Sequence, residues 1–483
     1  MKKPLCVMKF GGTSVGDAAC ISRAALIACD ASRDSAVVAV VSAMGGVTNR
    51  LIAAAEQAEE GHREQALEIF AALRQQHETA LATLLPHAEN RARVAAILDA
   101  IFSEGERLCE GTALLRELTP RTLDAISSLG ERLSAPMVSA AVAALGVASE
   151  SVEAKELIVT DDFHGGADPL MDLTRSRSES RLRPLLDRGA IPVVTGFIGA
   201  TEEGVLTTLG RGGSDYSATI LGAALNAGEI IIWTDVDGVL SADPRLVPGA
   251  RTIPEISYRE AAELAYFGAK VLHPKTLRAV AHAGIPVWIR NSFAPEMPGT
   301  KITPEGLSNG GGVKALTAIR DVSLIAVGGP GIVGLPDVVG RTFSTTGNVR
   351  SSVLLISQSS SQNDICFIVA SSDAKRTVEA LRREFAREVA NENVEHITLD
   401  PTIAIVAVVG ENMRGIPGVA GRTFSALGRA NVNIVAIAQG SSECNISFVV
   451  AEKDVKAALD ALHREFGLSA GKSTGSQAAT SYA

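Results

Sequence analysis

The chain has 483 residues, of which 46% are apolar, and it carries 45 Lys and Arg against 54 Asp and Glu, a net charge of −9. At about 150 residues per domain, this length predicts about three domains. The acidic balance excludes proteins that bind nucleic acids through a large basic surface. No apolar run approaches the roughly 18 residues of a membrane helix, and the first residues lead into a strand pattern instead of a signal peptide, so we expect a soluble cytoplasmic protein.

The six cysteines show no Cys-x-x-Cys pair and no neighbouring cluster of histidines. Neither a zinc site nor a disulfide framework is indicated, and we predict buried thiols and no metal site built from protein ligands. The cysteines are Cys6, Cys20, Cys29, Cys109, Cys366 and Cys444.

Apolar runs at 5–10 and 36–41 each precede a Gly-Gly pair. Continuous Val-rich runs of this length predict strands that are buried on both faces of a parallel sheet. The segment 18–28 predicts a helix between them. The stretch from 49 to about 144 is rich in Ala, Leu, Glu and Arg and predicts several helices. Because proline is disfavoured inside a helix, we expect these helices to be divided at Pro86, Pro120 and Pro136.

Three further apolar runs predict strands, and a helical pattern covers 216–225. The strand candidates are 191–197, 230–234 and 285–289. Strands that alternate with helices predict an α/β fold, here an α/β/α sandwich with a mostly parallel central sheet. A cluster of Pro, Gly, Ser and Asn at 295–312 predicts a linker after this sandwich.

An internal repeat follows the predicted linker. Segments 334–369 and 415–450 align without a gap and share the words GRTFS and Gln-x-Ser-Ser. Each copy reads as a βαββαβ unit, which is the ferredoxin-like order. Two copies are fewer than the three or more units of a solenoid, so we predict a tandem of domains. The small, polar tail at 469–483 is predicted to be disordered.

The first candidate site is the run KFGGTS at 9–14, at the end of the first predicted strand. Glycines in such a turn let backbone N–H groups approach an anion, and a lysine beside them can meet a phosphate. The order differs from a Walker A loop, whose lysine follows the glycines. An ordinary tight turn explains the run equally well.

A second glycine loop, GRGGSD at 210–215, leads into the predicted helix at 216–225. Arg211 can grip a carboxylate or a phosphate with two parallel hydrogen bonds, while Ser214 or Asp215 can cap the helix. A hairpin exit with an Asp N-cap is the alternative. That alternative leaves Arg211 unexplained, so we favour a binding loop.

Polar residues also follow the strand at 230–234, in TDVDG at 234–238 and in DPR at 243–245. Ligands of open α/β sheets lie beyond the carboxyl ends of the strands, which makes these residues candidates for nucleotide contacts. Turn chemistry alone also accounts for Asp-x-Asp-Gly. Two more runs, SLGER at 128–132 and FGAK at 267–270, fit ordinary helix ends when each is taken alone.

Together these loops bring to one sheet edge cationic groups suited to phosphate, an Arg and a Glu suited to an amino acid, and acids that could hold Mg²⁺. The sequence shows no Ser-His-Asp set in a nucleophile elbow and no reactive cysteine context. Phosphoryl transfer depends mainly on positioning and charge neutralisation. A carboxylate acceptor, with a pKa of about 4, is already ionised at pH 7 and needs no general base. The residues therefore favour phosphoryl transfer to a carboxylate.

The sequence resembles the aspartokinases of the amino-acid kinase family over nearly its whole length. The resemblance rests on KFGGTS at 9–14, VVSAMGGVTN at 40–49, SLGERLSA at 128–135, GFIGAT at 196–201, GRGGSDYSA at 210–218, TDVDGVLSADPR at 234–245 and FGAKVLHP at 267–274. It implies transfer of the γ-phosphoryl group of ATP, with Mg²⁺, to the side-chain carboxylate of L-aspartate, the first step of lysine, threonine and methionine biosynthesis. Some relatives continue into a homoserine dehydrogenase, and we expect a chain of this length to be monofunctional.

The resemblance also assigns site residues by motif. Lys9 would neutralise the transferring phosphoryl group and Asp215 would organise Lys9, while Arg211 would hold the α-carboxylate of aspartate and Glu131 its ammonium group. The rest of the aspartate pocket would be lined by Ser42, Thr48, Phe197 and Ser214. The nucleotide would meet Lys9, Gly11, Gly12, Ser14, Gly213, Thr234, Asp235, Arg245 and Lys270. Leu240 stands where many relatives have Tyr, so contacts to adenine or ribose at that position are not carried over.

The repeat resembles the paired ACT domains of these enzymes, which sense amino acids. The implied arrangement is a catalytic domain at 1–298 and two ACT regulatory domains at 313–393 and 394–468, with the strand at 313–320 shared between them. Pairing of ACT domains between subunits implies a homodimer or a higher oligomer.

Gln358 and Gln439 each end an apolar strand in their copy of the repeat and are expected to contact the effector. A strand-end glutamine bonded to its neighbouring turn is the alternative. Because Leu-Ile-Ser-Gln-x-Ser-Ser resembles the threonine-sensitive members, we rank threonine above lysine as the feedback inhibitor.

Two other functions stay open. Another amino-acid kinase would phosphorylate N-acetylglutamate, glutamate or a nucleotide, and an inactive ACT sensor would keep the fold without the activity. Glu131 argues against the first, because an acetylated amine or a nucleotide offers it no ammonium group. The presence of Lys9, Arg211 and Asp215 together argues against the second.

Overall fold

The computed structural model describes residues 3–268, 272–307, 312–329, 337–358, 364–413, 416–440 and 444–469. The chain divides into two compact units. Unit 1 comprises Met1–Val239, Pro254–Ala262 and Val271–Leu307. Unit 2 comprises Leu240–Ile253, Glu263–Lys270 and Ser308–Ala483. Two segments that precede the predicted linker therefore group with the C-terminal part of the chain.

Strands and helices alternate over most of the chain up to residue 303. These elements are β1 (Leu5–Phe10), α1 (Ala18–Ala31), β2 (Ala36–Val41), α2 (Val47–Glu59), α3 (Arg63–Leu84), α4 (Ala88–Leu115), α5 (Pro120–Ser127), α6 (Leu129–Ala144), β3 (Ser149–Val152), α7 (Met171–Asp187), β4 (Ile191–Thr195), β5 (Ile198–Ala200), β6 (Leu206–Thr208), α8 (Gly213–Ala224), β7 (Glu229–Thr234), β8 (Glu255–Ser257), α9 (Tyr258–Tyr266), α10 (Pro274–Ala281), β9 (Val287–Asn291) and β10 (Thr300–Thr303).

Unit 1 is built on an eight-stranded sheet with the order β3-β4-β2-β1-β7-β9-β10-β8. Neighbouring strands are parallel from β3 to β9, whereas β10 is antiparallel to β9 and β8 is parallel to β10. Cys6 and Met8 of β1 belong to one hydrophobic cluster, while Val7 between them is also buried but lies outside that cluster. Because side chains alternate along a strand, both faces of β1 are covered, and the predicted sandwich with a mostly parallel sheet is confirmed.

The prolines of the helical stretch behave in two ways. Pro86 lies between α3 and α4 and Pro120 begins α5, as predicted. The prediction for Pro136 is wrong, because this residue lies inside α6. Nearly every residue around it in α6 is buried, so packing offsets the one backbone hydrogen bond that proline cannot donate.

The segment 295–312 was expected to be a linker, and this expectation is wrong for part of the segment. It contains β10, whose Ile302 pairs with Val287 of β9 and with Ile256 of β8. The strand is short, and the Pro and Gly around it gave a loop signal that concealed it in the sequence.

The C-terminal part of unit 2 forms a six-stranded sheet with the order β12-β13-β11-β14-β16-β15. Its neighbouring strands are all antiparallel. The elements are β11 (Ala315–Gly328), α11 (Asp337–Asn348), β12 (Val353–Gln358), β13 (Asp364–Ala370), α12 (Ser371–Glu384), α13 (Ala386–Ala390), β14 (His396–Val409), α14 (Val419–Arg429), β15 (Ala436–Ala438), β16 (Asn445–Ala451) and α15 (Val455–Glu465).

The two copies of the repeat are joined through a pair of long strands, since β11 and β14 have 14 residues each. The C-terminal half of β11 pairs with β13, whereas its N-terminal residues pair with the half of β14 that lies beside β16. The first module (α11, β12, β13, α12) has a core around Phe367, and the second module (α14, β15, β16, α15) has a core around Phe448. The two modules therefore share strands but not cores.

The segment Leu240–Ile253 is part of the packing of the second module. Ala242 and Val247 belong to the same hydrophobic cluster as Phe448. The Oγ of Ser241 lies 3.1 Å from Nε2 of the buried His463 in α15. Apolar burial and a buried polar contact thus both fasten this segment to α15 and its neighbours.

None of the six cysteines, all of which lie in the described residues, forms a disulfide bond; Cys29 and Cys366 are partly exposed and the other four are buried. Burial raises the pKa of the Cys6 and Cys109 thiols to about 12. In the described ranges, none of the helices combines the length and the apolar character that crossing a membrane requires. Apart from Ser469, the tail predicted to be disordered lies outside the described residues.

The core of the second module supplies a stability prediction. Val450 is completely buried in β16, so Val450→Ala leaves a cavity and should lower the free energy of unfolding of unit 2 by about 2 kcal/mol. The matched change Val389→Ala, at a side chain that is 43% exposed in α13, should stay within about 0.5 kcal/mol of the parent. Urea unfolding of the three proteins measures both values, and equal losses for the two variants would contradict the assigned core.

Candidate active site

Lys9 and Asp215 join two distant parts of unit 1. Lys9 lies near the C-terminal end of β1, and Asp215 lies in the first turn of α8. The Nζ of Lys9 is 2.5 Å from Oδ1 of Asp215, and the two side chains are only 11% and 17% exposed. Because a largely buried charge needs a partner, this ion pair fixes the lysine at the edge of the sheet.

A cavity of about 500 Å³ lies beside this ion pair. It is lined by every residue that the sequence assigned to catalysis or to the aspartate pocket, and by two residues of the predicted nucleotide set, Lys9 and Gly213. These are Lys9, Ser42, Thr48, Glu131, Phe197, Arg211, Gly213, Ser214 and Asp215. The parallel order of β1, β2, β4 and β7 accounts for this convergence, because their carboxyl ends meet at one edge.

Glu131 is buried in the first turn of α6, with 4% of its surface exposed. Its burial raises the pKa of the carboxyl group to about 8, and the Ala43 N–H, the Lys9 ammonium and the Ser214 hydroxyl oppose this shift only in part. Its Oε2 has no hydrogen-bond partner among the described residues. The cavity therefore contains a buried acceptor that a cationic ligand group could satisfy.

The N-terminus of α8 forms one wall of the cavity. Gly212 precedes the helix with a φ of 71°, a left-handed conformation that favours glycine. A Cβ at Gly213 would lie 2.6 Å from Cδ2 of Phe197, so the loop approaches Phe197 more closely than a larger residue allows. Arg211 is exposed at this wall and has no ion-pair partner in the described part of the chain, which leaves its guanidinium available to a ligand.

Phe197 adopts a left-handed backbone conformation with a φ of 68°, which is unusual for a residue other than glycine. Its N–H donates to the Oγ of Ser217 in α8 at 2.9 Å. This bond holds the turn between β4 and β5 against α8 and keeps Phe197 at the cavity. Strain of this kind is expected where the surrounding structure fixes a functional residue.

The segment from Ser42 to Thr48, which joins β2 to the start of α2, is held by α6. The Oγ of Ser134 donates to the carbonyl oxygen of Ser42 at 2.6 Å. A Cβ added at Gly130 would lie 2.6 Å from the Cβ of Ala43, so helix and loop are in close contact there. The helix that supplies Glu131 therefore also positions this side of the cavity.

Other residues of the predicted nucleotide set lie at the carboxyl ends of β1 and β7, outside the cavity lining. They are Gly11, Gly12, Ser14, Thr234 and Asp235. The N–H of Gly11 donates to the carbonyl oxygen of Trp233 at 3.1 Å, and the Oγ of Ser14 lies 2.8 Å from that of Ser292 after β9. The structure thus brings these strand ends together beside Lys9.

The remaining predicted residues are not part of this group. Arg245 belongs to unit 2, where its side chain is 82% exposed and its Nη2 lies 2.7 Å from Oδ2 of Asp243. Lys270 lies outside the described residues. Gln358 ends β12 and Gln439 follows β15, and both are exposed.

Sequence reasoning missed Asp124, which is buried in α5 and lines the cavity. The motif PRTLDAIS around it reads as an ordinary amphipathic helix, so no local signal marks this residue. Further lining residues that were not singled out are Asn49, Ile52, Leu123, Ser127, Gly165, Thr208, Gly210 and Gly212. Asn49, Gly210 and Gly212 at least lie inside the glycine-containing motifs quoted for the resemblance.

Comparison of the sequence with known proteins identifies the family of this chain. Residues 4–291 match the amino acid kinase family, and residues 325–385 and 406–466 each match the ACT domain. Aspartokinase 1 of Arabidopsis thaliana, a chloroplastic protein, is 33% identical, and the match covers 95% of this chain and 80% of that protein. The bifunctional aspartokinase/homoserine dehydrogenase of Haemophilus influenzae is 36% identical, over 95% of this chain and 56% of the relative.

Solved structures of aspartokinases are also similar to this chain. Escherichia coli aspartokinase III in complex with lysine and aspartate superposes with a TM-score of 0.80 at 30% identity, covering 96% of this chain and 99% of that one. The same enzyme with aspartate and ADP gives 0.78 at 30% identity, covering 96% and 100%. The chain therefore belongs to the amino acid kinase family, among the aspartokinases. It spans about half the length of the bifunctional relatives that it matches.

The raised pKa of Glu131 predicts how stability depends on pH. Between about pH 5 and pH 8 the folded protein keeps a proton on Glu131 that the unfolded chain, with an ordinary value of 4.5, has released. The folded state then binds more protons than the unfolded state, so this group makes the protein less stable as the pH rises through that window. Glu131→Gln, which stays neutral, should flatten the fall of the melting temperature between pH 5 and pH 8.

Glu179→Gln is the matched control, because Glu179 is exposed in α7 of the same unit. The control should leave the pH profile of the parent unchanged. An identical slope for the parent and for Glu131→Gln would contradict a protonated Glu131 in the empty cavity.

Proposed function

We propose that the protein is an aspartate kinase that transfers the γ-phosphoryl group of ATP to the side-chain carboxylate of L-aspartate, giving 4-phospho-L-aspartate and ADP. The observation that carries the proposal is the convergence of Lys9, Arg211 and Glu131 on one cavity. The two cations suit the phosphoryl group and a carboxylate, and the buried acid suits an ammonium group. This is the first step of lysine, threonine and methionine biosynthesis in organisms that make these amino acids.

In the proposed reaction, a carboxylate oxygen of aspartate attacks the γ-phosphorus, and the bond from that phosphorus to the bridging oxygen of ADP breaks. The attacking carboxylate is already ionised at neutral pH, so no residue is needed to remove a proton. Lys9 neutralises charge on the transferring group, as positioning and electrostatic stabilisation dominate phosphoryl transfer. Asp215, at 2.5 Å, keeps the lysine ammonium aimed at this point.

Recognition of aspartate is assigned to Arg211, Glu131 and the residues around them in the cavity. The Arg211 guanidinium can bind the α-carboxylate with two parallel hydrogen bonds. Glu131 receives the α-ammonium group, which supplies the partner that its Oε2 otherwise lacks. Ser42, Thr48, Phe197 and Ser214 complete the pocket around the substrate.

The nucleotide is assigned to the neighbouring strand ends, where Gly11, Gly12 and Ser14 offer backbone and hydroxyl groups. Gly213, Thr234, Asp235, Arg245 and Lys270 complete the proposed set. Escherichia coli aspartokinase III, with 30% identity, was solved with aspartate and ADP, which supports this pair of substrates.

Mg²⁺ is expected to accompany ATP. The described residues contain no group of three or more His, Cys, Asp or Glu that could hold a metal. Mg²⁺ is ordinarily held by one or two carboxylates together with substrate phosphates, and the exposed Asp235 fits that shared kind of site. When bound, Mg²⁺ would offset part of the phosphate charge.

The two modules of unit 2 are proposed to bind a feedback inhibitor through Gln358 and Gln439. The match of both modules to the ACT domain supports this assignment, and the lysine complex of Escherichia coli aspartokinase III supports an amino acid as the ligand. We rank threonine above lysine on the Leu-Ile-Ser-Gln-x-Ser-Ser pattern. The outer strands β12 and β15 expose Ile356 and Ile437, 51% and 47%, which supports self-association into a homodimer or a higher oligomer through this unit.

The catalytic assignment is tested at Lys9. Lys9→Ala removes the cation that faces the transferring group, and the rate of ATP-dependent acyl phosphate formation should fall by about 100-fold or more. The product is trapped with hydroxylamine and measured by colour. Lys3→Ala, at an exposed lysine before β1, is the control and should keep the parent rate. Full activity in a folded Lys9→Ala protein would refute the role of Lys9.

The regulatory assignment is tested at Gln358. Gln358→Ala removes a polar contact to the effector, so the inhibitor concentration for half inhibition should rise about tenfold while the uninhibited rate stays the same. Threonine, lysine and methionine are each titrated in the hydroxylamine assay. Asn391→Ala, at an exposed amide of the same unit, is the control. An unchanged inhibition curve for Gln358→Ala would count against this effector site.

A further inference from the structure

Asp124 has an unusual environment for an acid in the middle of a short helix. Only 2% of its surface is exposed, and its carboxylate accepts hydrogen bonds from two other segments. Nδ1 of His164 lies 2.8 Å from Oδ2, and the N–H of Gly165 donates to both oxygens at 3.1 Å. The Oγ1 of Thr208 donates to Oδ1 at 2.5 Å and its N–H donates to Oδ2 at 3.3 Å. Both oxygens are therefore occupied by donors.

Two of the three donor residues lie in the wall of the cavity. Gly165 and Thr208 line it together with Asp124 itself. Thr208 ends β6, and the chain continues directly into the loop that carries Arg211. A Cβ at Gly210 would lie 3.0 Å from the carbonyl oxygen of Gly165, so the two segments that Asp124 holds also touch each other beside Arg211.

The outer side of the segment at 161–168 is fixed separately. The Nζ of Lys275 in α10 donates to the carbonyl oxygen of Gly166 at 3.2 Å and lies 3.3 Å from Oδ1 of Asp168. Asp124 is thus the inner anchor of a segment that is fastened at both sides. Loss of the inner anchor alone would let the wall shift without detaching the whole segment.

We infer that Asp124 is a positioning residue for the acceptor end of the site: its carboxylate holds the two segments that set the place of Arg211. The inference rests on the proposed function, because it takes Arg211 as the group that binds the α-carboxylate of aspartate. Asp124 touches no reacting atom in this scheme. It acts through β6, whose last residue stands just before the arginine loop.

The first test is Asp124→Asn in the full-length protein. The side chain keeps its size, but the new amide N–H₂ group faces donors from His164, Gly165 or Thr208 in either orientation, so the wall must move. The KM for aspartate should rise about tenfold or more, while the KM for ATP and kcat change less than about threefold. Asp162→Asn, at an exposed acid of the same segment, is the matched control and should leave all three constants unchanged.

The second test places both changes in one chain. Arg211→Lys should raise the KM for aspartate by itself, because lysine cannot make two parallel hydrogen bonds. If Asp124 acts through Arg211, then adding Asp124→Asn to Arg211→Lys should raise this KM by less than about twofold further. If the two changes raise the KM for aspartate by factors that simply multiply in the double variant, the inference is overturned. It is also overturned, in favour of a purely structural role, if Asp124→Asn lowers kcat, raises both KM values to the same extent and lowers the melting temperature.

The outcomes separate the two proposals. If Arg211→Lys leaves the KM for aspartate unchanged, the assignment of Arg211 in the proposed function fails. If Arg211→Lys weakens aspartate binding and Asp124→Asn does not, only the inference on Asp124 fails.

Should Asp124→Asn not fold, Thr208→Val and Thr208→Ser replace it. The valine variant should raise the KM for aspartate, and the serine variant, which keeps the hydroxyl donor, should keep the KM of the parent. Equal KM values for these two variants would also overturn the inference.

Discussion

The ion pair between Lys9 and Asp215 is the contact on which the site depends. β1 lies in the middle of the sheet, between β2 and β7, so its C-terminal end is surrounded by the ends of other strands. Asp215 reaches this point because α8 begins with a glycine loop that passes close to Phe197. Either charge without the other would be largely buried and uncompensated, which is strongly destabilising. The Lys9 ammonium also lowers the pKa of Glu131, although burial outweighs it. The Lys9 side chain thereby contacts the helix start after the glycine loop, through Asp215, and also lowers the pKa of Glu131.

The sequence was informative wherever a residue type is rare in its local setting. Lys9 stands close to two glycines and Arg211 stands between glycines, both are charged, and both line the cavity. The strands β1 and β2 were predicted with their bounds, because a buried parallel strand is a continuous apolar run. Asp124 could not be found in this way, since its role depends on donors that lie 40 and 84 residues away. Pro136 and β10 were mispredicted for the same reason: tertiary packing overrode a local signal in both.

The segment that carries Arg245 packs against the second of the two interleaved modules in unit 2. β11 and β14 pair with each other over most of their length, and each also pairs with a strand of one module, so the two modules are joined through these two strands. The segment Leu240–Ile253 lies in the core of the second module through Ala242 and Val247, and is bound to α15 through Ser241 and His463. A segment assigned to the nucleotide by motif therefore packs in the same unit as the proposed sensor.

Asp215 and Glu131, two of the three acids that line the cavity, differ in a way that would let the proposed site select a free amino acid. Asp215 has its ion-pair partner within the protein, whereas Oε2 of Glu131 has no hydrogen-bond partner in the described residues. Burial raises the pKa of Glu131, so the empty cavity favours the neutral acid. An ammonium group that enters beside it makes the ionised form favourable and gains a charge-assisted hydrogen bond. An acetylated amine offers no such charge and leaves a buried polar group poorly satisfied, a penalty that discriminates strongly between otherwise similar ligands. Under the proposed function, the choice of acceptor would follow from the desolvation of one carboxyl group at the start of α6.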